Sequence, residues 1–256
     1  MMKENSEILL IEKRGAVEWV TMNRPESLNA LSQEMVRQLR GYFEDKYDDK
    51  DTRIIVLRGA GRAFCAGLDL KEVNTASGVE DNLKGQTNIR DIYKAMRRCP
   101  QPIISIIKGA ACGGGFSLAL ASDIRIAGES AKLNAAYLTI GLTGCDMGSS
   151  YFLPRLVGAS LASELLLTGR FIYAQEAALH RLVSKVVPDE ELDDAPTEMI
   201  NAMLATSRMG LQLTKDALNF SIDAPSMDAA MAMEDRQQIL LSTAGDEFRK
   251  RKEEFQ

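Results

Sequence analysis

Histidine and cysteine are scarce in this chain of 256 residues, which contains one histidine and four cysteines. No two cysteines form a CxxC pair, and one histidine cannot complete a zinc site with them, so the sequence predicts no metal. His180 is expected at the end of a helix in a structural role, which argues against Ser-His-Asp catalysis. The cysteines are expected to be buried free thiols of a reducing compartment: Cys65, Cys99, Cys112 and Cys145.

Strong positive charge and long apolar runs are also absent. The formal net charge is −5, which argues against nucleic acid as a partner. No apolar run is long enough to span a bilayer, and residues 1–7 lack the apolar core of a signal peptide. We therefore expect a cytoplasmic protein with no membrane partner. A GxSxG motif is absent around Ser117 and GxxxxGK(S/T) does not occur, so neither a hydrolase elbow nor a P-loop is supported.

What the chain does contain is an alternation of apolar β-rich runs and helical patterns over its first two-thirds. With 45% hydrophobic residues it can form one sizeable core, and the alternation predicts an α/β fold. Helical patterns dominate from Tyr151 onward, and Ser32 is a candidate N-cap of an earlier helix. The predicted strands are Ile8 to Glu12 and Val17 to Met22, which suggest a hairpin, then Arg53 to Arg58, Pro102 to Ile107 and Ile124 to Ile126.

A polar stretch from Lys71 to Thr87 has no apolar periodicity. We expect a loop there, which could form a lid or part of a substrate pocket, followed by a helix from Ile89 to Met96. A second long loop is expected from Gly128 to Ser150.

Three consecutive glycines, Gly113 to Gly115, separate the β-branched run at 102–107 from an Ala- and Leu-rich stretch. Glycines remove every Cβ from such a strand-to-helix turn, so another group can approach the backbone. The first N–H groups of a helix have no partner within it and carry partial positive charge. The turn therefore suits an oxygen that becomes negative during a reaction. A tight turn packed against a neighbouring backbone is an equally good interpretation of the spacing.

Several motifs, taken in order, resemble the crotonase (enoyl-CoA hydratase/isomerase) superfamily, and the resemblance covers nearly the whole chain. The family fold is a spiral of ββα units with a helical C-terminal region. The resemblance implies a spiral core over residues 1–195, with the CoA site, and a helical trimerisation region over 196–256. The motifs are Asn23 to Leu31, Ala63 to Leu70, Lys108 to Gly115, Ala121 to Ile124, Pro154 to Gly158 and Leu167 to Arg170.

The resemblance implies an acyl-CoA thioester as substrate, with CoA entering as part of it and no separate cofactor. Family members hold the thioester oxygen between two backbone N–H groups, which correspond here to Leu68 and Gly114. A homotrimer or a dimer of trimers is implied. The residues implied in CoA binding are Arg24, Ala66, Gly67, Asp69 and Leu70, with Lys250, Arg251 and Lys252 as further phosphate candidates. The carboxylates of Asp69 and Asp123 are interpreted as structural.

The chain departs from the family hydratases at both of their catalytic glutamates. Ser117 and Tyr137 stand at those positions, and neither residue type is a carboxylate base. Asp146 is the remaining carboxylate nearby, in the loop where related isomerases and dehalogenases place an aspartate. The glycine-rich context also fits a local cap or Asx-turn. Cys145 is expected to be a buried thiol lining the substrate pocket rather than a nucleophile, because no basic partner is visible.

These residues favour double-bond isomerisation, or another enolate reaction that uses Asp146, over ordinary hydration. One alternative is an acyl-CoA-binding module that has lost its chemistry. A dehalogenase-like enzyme is another, although its histidine before the glycine turn is missing here. A third alternative is a bicarbonate or similar anion that replaces a missing carboxylate near Ser117.

Overall fold

The computed structural model describes residues 7–73, 78–244 and 246–254, and within them it contains nine strands and ten α-helices. The strands are β1 (Leu9–Arg14), β2 (Val17–Met22), β3 (Ile54–Gly59), β4 (Ile103–Ile107), β5 (Ala110–Cys112), β6 (Ile124–Gly128), β7 (Lys132–Asn134), β8 (Ile172–Tyr173) and β9 (Lys185–Val187). The helices are α1 (Gln33–Asp45), α2 (Val79–Arg98), α3 (Gly114–Ala121), α4 (Ser149–Val157), α5 (Ala159–Thr168), α6 (Ala174–Leu179), α7 (Thr197–Leu204), α8 (Arg208–Ser221), α9 (Met227–Ala244) and α10 (Asp246–Glu254).

The main sheet has six strands in the order β1-β2-β3-β4-β6-β9. The β1–β2 pair is the predicted antiparallel hairpin, and every other pair in this sheet is parallel. Its central strands β3 and β4 are buried on both faces, which explains why they are mainly apolar. The one polar residue of β4, Ser105, is buried with its hydroxyl 2.6 Å from that of Ser122. Ile55 and Leu57 point into the larger core, and Ile54 and Val56 point into a second core on the opposite face. The α/β class is therefore confirmed.

A second, three-stranded sheet in the order β5-β7-β8 corrects two predictions. The run at 102–107 does not lead straight into the glycine turn, because β5 intervenes. The predicted loop from Gly128 to Ser150 contains β7 and a short 3-10 helix (Leu138–Ile140). Three-residue strands such as these carry too few side chains to give a periodic signal.

Helix α2 begins at Val79, so the expected loop from Lys71 to Thr87 is wrong over its second half. Residues 74–77 of that prediction lie outside the described part. The early turns of α2 are polar and exposed, and its buried side chains begin only at Ile92. A helix whose first half buries no apolar stripe shows no amphipathic pattern in the sequence.

The described chain after Pro196 is helical, with α7 packed on the second core through Ile200. The division at residue 195 and the trimerisation role of the last segment remain predictions. His180 directly follows α6, which confirms its predicted place at a helix end. In the described residues, no helix combines the length and the apolar character that crossing a membrane requires.

Candidate active site

The glycine turn has features of both arrangements that the sequence left open. Gly113 has φ +50° and ψ −117°, a conformation that side chains disfavour, and its N–H donates to the Asn134 carbonyl at 3.0 Å. Gly115 is packed against a neighbouring backbone, because a Cβ there would lie 2.1 Å from the Cys65 carbonyl oxygen. Gly114 begins α3, and its N–H has no backbone acceptor in the part of the chain that is described.

The loop that contains Leu68 is held beside this turn by backbone hydrogen bonds. The Cys65 carbonyl accepts the Cys112 N–H at 2.9 Å, and the Gly67 carbonyl accepts the Leu31 N–H at 2.7 Å. A Cβ on Gly67 would lie 3.4 Å from the Gly114 nitrogen, which measures how closely the two bends approach each other. As at Gly114, no backbone group among the described residues accepts the Leu68 N–H. Both amides therefore lack a backbone acceptor, and the two bends that carry them are packed against each other.

Arg125, which the sequence analysis missed, fixes the far end of α3. Its guanidinium donates to the carbonyls of Ala119 (3.3 Å), Ser122 (2.5 Å) and Leu182 (2.8 Å). Burial lowers the pKa of Arg125 to about 10, so the group stays cationic near neutral pH. A cation at the C-terminus of a helix complements its dipole, and here it helps to hold the helix whose N-terminus faces the site.

Ser117 and Tyr137, the residues at the positions of the hydratase glutamates, are paired with each other. Their hydroxyl oxygens lie 2.8 Å apart and both side chains are buried. The Tyr137 ring lies against the turn, 3.5 Å from where a Cβ on Gly113 would stand. Burial raises the pKa of Tyr137, and the negative charge of Asp146 adds to that effect. The pair is therefore neutral and already hydrogen-bonded.

Tyr93 of α2 also belongs to this cluster, although no motif in the sequence marks it as a site residue. Its hydroxyl donates to the Gly114 carbonyl at 3.0 Å and lies 3.0 Å from the Met147 sulfur. Burial raises its pKa well above the ordinary tyrosine value. Tyr93 and Met147 also line a cavity of about 1170 Å³ between α2, α4 and α8. That cavity does not reach Gly114, Ser117 or Asp146, so it borders the amide site without being part of it.

Asp146 lies half-buried in the loop before α4, with its backbone next to the hydroxyl pair. The Ser117 hydroxyl is 3.4 Å from the Asp146 carbonyl oxygen, and the Ser149 N–H donates to the same carbonyl at 2.9 Å. Its carboxylate oxygen Oδ1 accepts the Met147 N–H at 2.7 Å and the Gln86 Nε2–H at 2.6 Å. The carboxylate thus bonds locally to the next residue, but it does not cap α4, whose N-cap residue is Gly148 and which has no side-chain cap.

The residues implied in CoA binding lie on the loop that contains Leu68 and on the turn at 23–31. Arg24 makes an ion pair with Asp69 at 2.8 Å and donates to the Ala30 carbonyl at 2.7 Å. The bond from Arg24 lowers the pKa of Asp69, against the opposing effect of burial. The Ala66 N–H donates to the Leu28 carbonyl, and Leu70 is exposed. The Asp69 carboxylate therefore has the structural role predicted for it, and it holds Arg24 in place.

The four cysteines, all expected to be buried, differ in their exposure. Cys145 is exposed, so the expectation of a buried thiol there is wrong: the polar loop before Asp146 leaves it at the surface. Cys112 is only half-buried, whereas Cys65 and Cys99 are buried as expected. Burial raises the pKa of Cys65 to about 12, which makes it a poor nucleophile.

Asp123 has the structural role expected of it. Its carboxylate holds Arg97 and Lys215, both at 2.9 Å. The side chains of Lys250 and Arg251 lie outside the described part, and Lys252 is exposed on α10. Across 7–73, 78–244 and 246–254, no three His, Cys, Asp or Glu side chains are grouped as metal ligands would be.

Comparisons with known proteins agree with this arrangement. The enoyl-CoA hydratase/isomerase family matches residues 12–254. A probable enoyl-CoA hydratase of Mycobacterium bovis, echA12, is 38% identical over 240 residues, which cover 91% of this chain and 84% of that protein. The crystal structure of a probable enoyl-CoA hydratase/isomerase from Mycobacterium abscessus superposes with a TM-score of 0.87 at 34% identity, covering 97% of this chain and 96% of that one.

A monofunctional enoyl-CoA isomerase from M. smegmatis has a TM-score of 0.76 at 37% identity, covering 88% of this chain and 99% of that one. The similar proteins thus include both named hydratases and a named isomerase, over most of their lengths. These matches also confirm the predicted crotonase-type fold. The chain belongs to the enoyl-CoA hydratase/isomerase family of the crotonase superfamily.

Proposed function

We propose that this member of the family moves the double bond of an enoyl-CoA thioester and does not add water to it. The observation that carries the proposal is the buried hydroxyl pair of Ser117 and Tyr137 at 2.8 Å. A hydratase needs carboxylates to activate and deliver water, and this pair is neutral and engaged with itself. Asp146, whose backbone contacts Ser117, is then the group that carries the proton.

The proposed reaction needs one base and a site for negative charge. The Asp146 carboxylate takes a proton from the α-carbon of a 3-enoyl-CoA, and the electron pair moves into the thioester as a dienolate. The N–H groups of Leu68 and Gly114 stabilise the resulting oxyanion, each contributing about 2.7–4 kcal/mol to lowering the barrier. The same carboxyl then returns the proton to the γ-carbon, which gives the conjugated 2-enoyl-CoA and restores the carboxylate.

We also propose that the segment from Ala66 to Leu70 holds the CoA moiety, with Arg24 near its phosphates. The ion pair of Arg24 with Asp69 supports this, because it joins the turn at 23–31 to the loop at 63–70 and leaves the cation only partly exposed. A guanidinium has five N–H donors, so a phosphate could add to the bonds that it already makes.

Loss of chemistry is the second candidate function, because the Asp146 carboxylate already accepts two N–H bonds. The two candidates separate with Asp146→Asn, which keeps the side-chain size. Isomerisation of a 3-enoyl-CoA, followed by the absorbance of the conjugated thioester, should fall at least about 100-fold. Binding of a saturated acyl-CoA, measured by calorimetry, should persist.

Asp45→Asn is the matched control, since it changes an exposed aspartate at the end of α1 and should leave turnover unchanged. Unaltered turnover in Asp146→Asn would refute the role of Asp146. Tight acyl-CoA binding by the unmodified protein without any turnover would favour the silent module. A turnover that depends on added bicarbonate would favour the anion-assisted alternative.

Assembly into a trimer or a dimer of trimers is proposed for the C-terminal helices. Apolar side chains on α9 and α10 are exposed, among them Met231, Ile239, Leu240 and Phe248. Such patches mark contacts with other chains. Light scattering should give three or six times the mass of one chain, and Ile239→Glu should reduce that mass.

A cytoplasmic location is proposed from the thiols. Cys65, Cys99, Cys112 and Cys145 are all free, which suits a reducing compartment. Fractionation of cells that express the protein would test it, and recovery outside the cytoplasmic fraction would contradict it.

A further inference from the structure

Gln86, on the exposed first half of α2, reaches across to the loop of Asp146. Its Nε2–H donates to Asp146 Oδ1 at 2.6 Å, between residues that are 60 positions apart. The residues of α2 around it are exposed, including Val79 and Leu83, and Gly78 provides no side-chain cap. Burial of apolar side chains therefore does not explain the position of this part of α2.

The two oxygens of the Asp146 carboxylate are in different environments. Oδ1 accepts the Gln86 amide and the Met147 N–H at 2.7 Å, so both donors act on the same oxygen. No hydrogen bond to Oδ2 is formed by the described residues. Two donors from different directions fix the rotation of the carboxylate.

We propose that Gln86 is a positioning residue for Asp146: it fixes the carboxylate so that Oδ2 is the oxygen that exchanges the substrate proton. This inference rests on the proposed function. The N–H of Met147 belongs to the adjacent residue, so it moves together with Asp146. The bond from Gln86 is therefore the contact that fixes the carboxylate relative to a different element, α2. Displacement of a reacting group by about 1 Å can cost up to about 100-fold in rate, which is the scale on which such positioning acts.

Gln86→Met tests the inference, because methionine keeps the length and the helix propensity and removes the amide that supplies the N–H donor. We expect kcat for isomerisation to fall about tenfold, with KM changed less than about twofold, because positioning affects the reacting geometry more than the binding of CoA. Gln86→Glu replaces the donor by a second carboxylate, and kcat should fall further, about 100-fold. Lys84→Met is the matched control at an exposed position of the same helix and should leave both constants unchanged.

A double-mutant cycle separates positioning from a general effect on the fold. In the Asp146→Asn background, Gln86→Met should cause no further loss, because its effect passes through the carboxylate. The melting temperature of Gln86→Met should stay within about 1 °C of the unmodified protein, since the bond is at the surface. An equal fractional loss in both backgrounds would overturn the inference.

The two proposals fail in different ways. Full turnover in Asp146→Asn removes the proposed function, whatever Gln86 does. Loss of turnover in Asp146→Asn, together with unchanged kinetics in Gln86→Met and Gln86→Glu, leaves the proposed function in place and refutes the role of Gln86 alone.

Discussion

The two halves of the candidate site are held in different ways. The amide half consists of Leu68 and the Gly113 to Gly115 turn, and backbone contacts between buried segments fix it. The carboxylate half consists of Asp146 and Gln86, and side-chain bonds at a partly exposed loop and an exposed helix face hold it. The first half cannot change without disturbing the core, whereas the second can change with little effect on stability.

This difference suggests which part of the site is common to a family that shares the fold and which part changes from one member to another. Backbone amides present the same donors whatever the side chains are, so the proposed oxyanion site depends on the fold. The groups that move protons are side chains, and at 117 and 137 this chain carries hydroxyls in place of carboxylates. Stability measurements test that contrast without depending on the proposed reaction.

The largest effect is expected from glycine substitutions that compare the two halves directly. Gly115→Ala would bring a Cβ to 2.1 Å from the Cys65 carbonyl oxygen, which is backbone and cannot move away cheaply. We expect a loss of about 3 kcal/mol or more in the free energy of unfolding. Gly85→Ala, in α2 next to Gln86, meets no atom within 4 Å and should stabilise by about 0.5–1 kcal/mol.

Urea denaturation of both variants measures these values. If Gly115→Ala and Gly85→Ala changed the free energy of unfolding with the same sign and size, the amide half would not be more tightly packed than the carboxylate half.

The sequence located the glycine turn of the amide half, because its signal is local, while the binding roles of Leu68 and Gly114 stay predictions. Three adjacent glycines after an apolar run mark a bend with bare backbone whatever lies around it. The motif around Leu68 then supplied its partner through the resemblance. The family, the α/β class and the hairpin at β1 and β2 followed in the same way from short stretches of sequence.

The carboxylate half was predicted only in part, because its contacts join distant residues. Asp146 was identified, but Gln86 lies 60 residues away in a segment that was expected to be a loop. Tyr93 gave only the signal of a buried helix face. The contact between Ser117 and Tyr137 crosses 20 residues, and no pattern in one sequence reports that two hydroxyls meet.

A moderate effect is expected at the hydroxyl pair, where each partner satisfies the other. Ser117→Ala leaves the buried Tyr137 hydroxyl without this partner and should cost about 2 kcal/mol. Tyr137→Phe should cost less, because the Ser117 hydroxyl keeps the Asp146 carbonyl at 3.4 Å. The double variant should lose about 1 kcal/mol less than the sum of the single losses, because no buried hydroxyl is then left unpaired.

Denaturation of all four proteins in urea gives this coupling energy. Strictly additive losses would mean that the two hydroxyls are not bonded to each other, and the neutral pair would no longer argue against hydration.

The smallest effect is expected at the ion pair of Arg24 and Asp69, and it should depend on pH. The bond from Arg24 lowers the pKa of Asp69 in the folded state below the value of about 3.9 of an unfolded aspartate. Stability from this pair is therefore fully present above about pH 4 and is lost as the pH falls through the lowered pKa. Arg24→Met should cost about 1 kcal/mol at pH 7, and the difference from the unmodified protein should shrink below pH 4.

The part of the loss that comes from the bond between Arg24 and the Ala30 carbonyl should persist as the pH falls, because that bond does not involve the Asp69 carboxylate. Asp69→Asn isolates that part because it removes the carboxylate. In the Asp69→Asn background, the loss of unfolding free energy caused by Arg24→Met should be independent of pH. A difference that grew as the pH fell would mean that the carboxylate is stabilised in its protonated form. The ion pair would then not be what joins the two segments proposed to hold CoA.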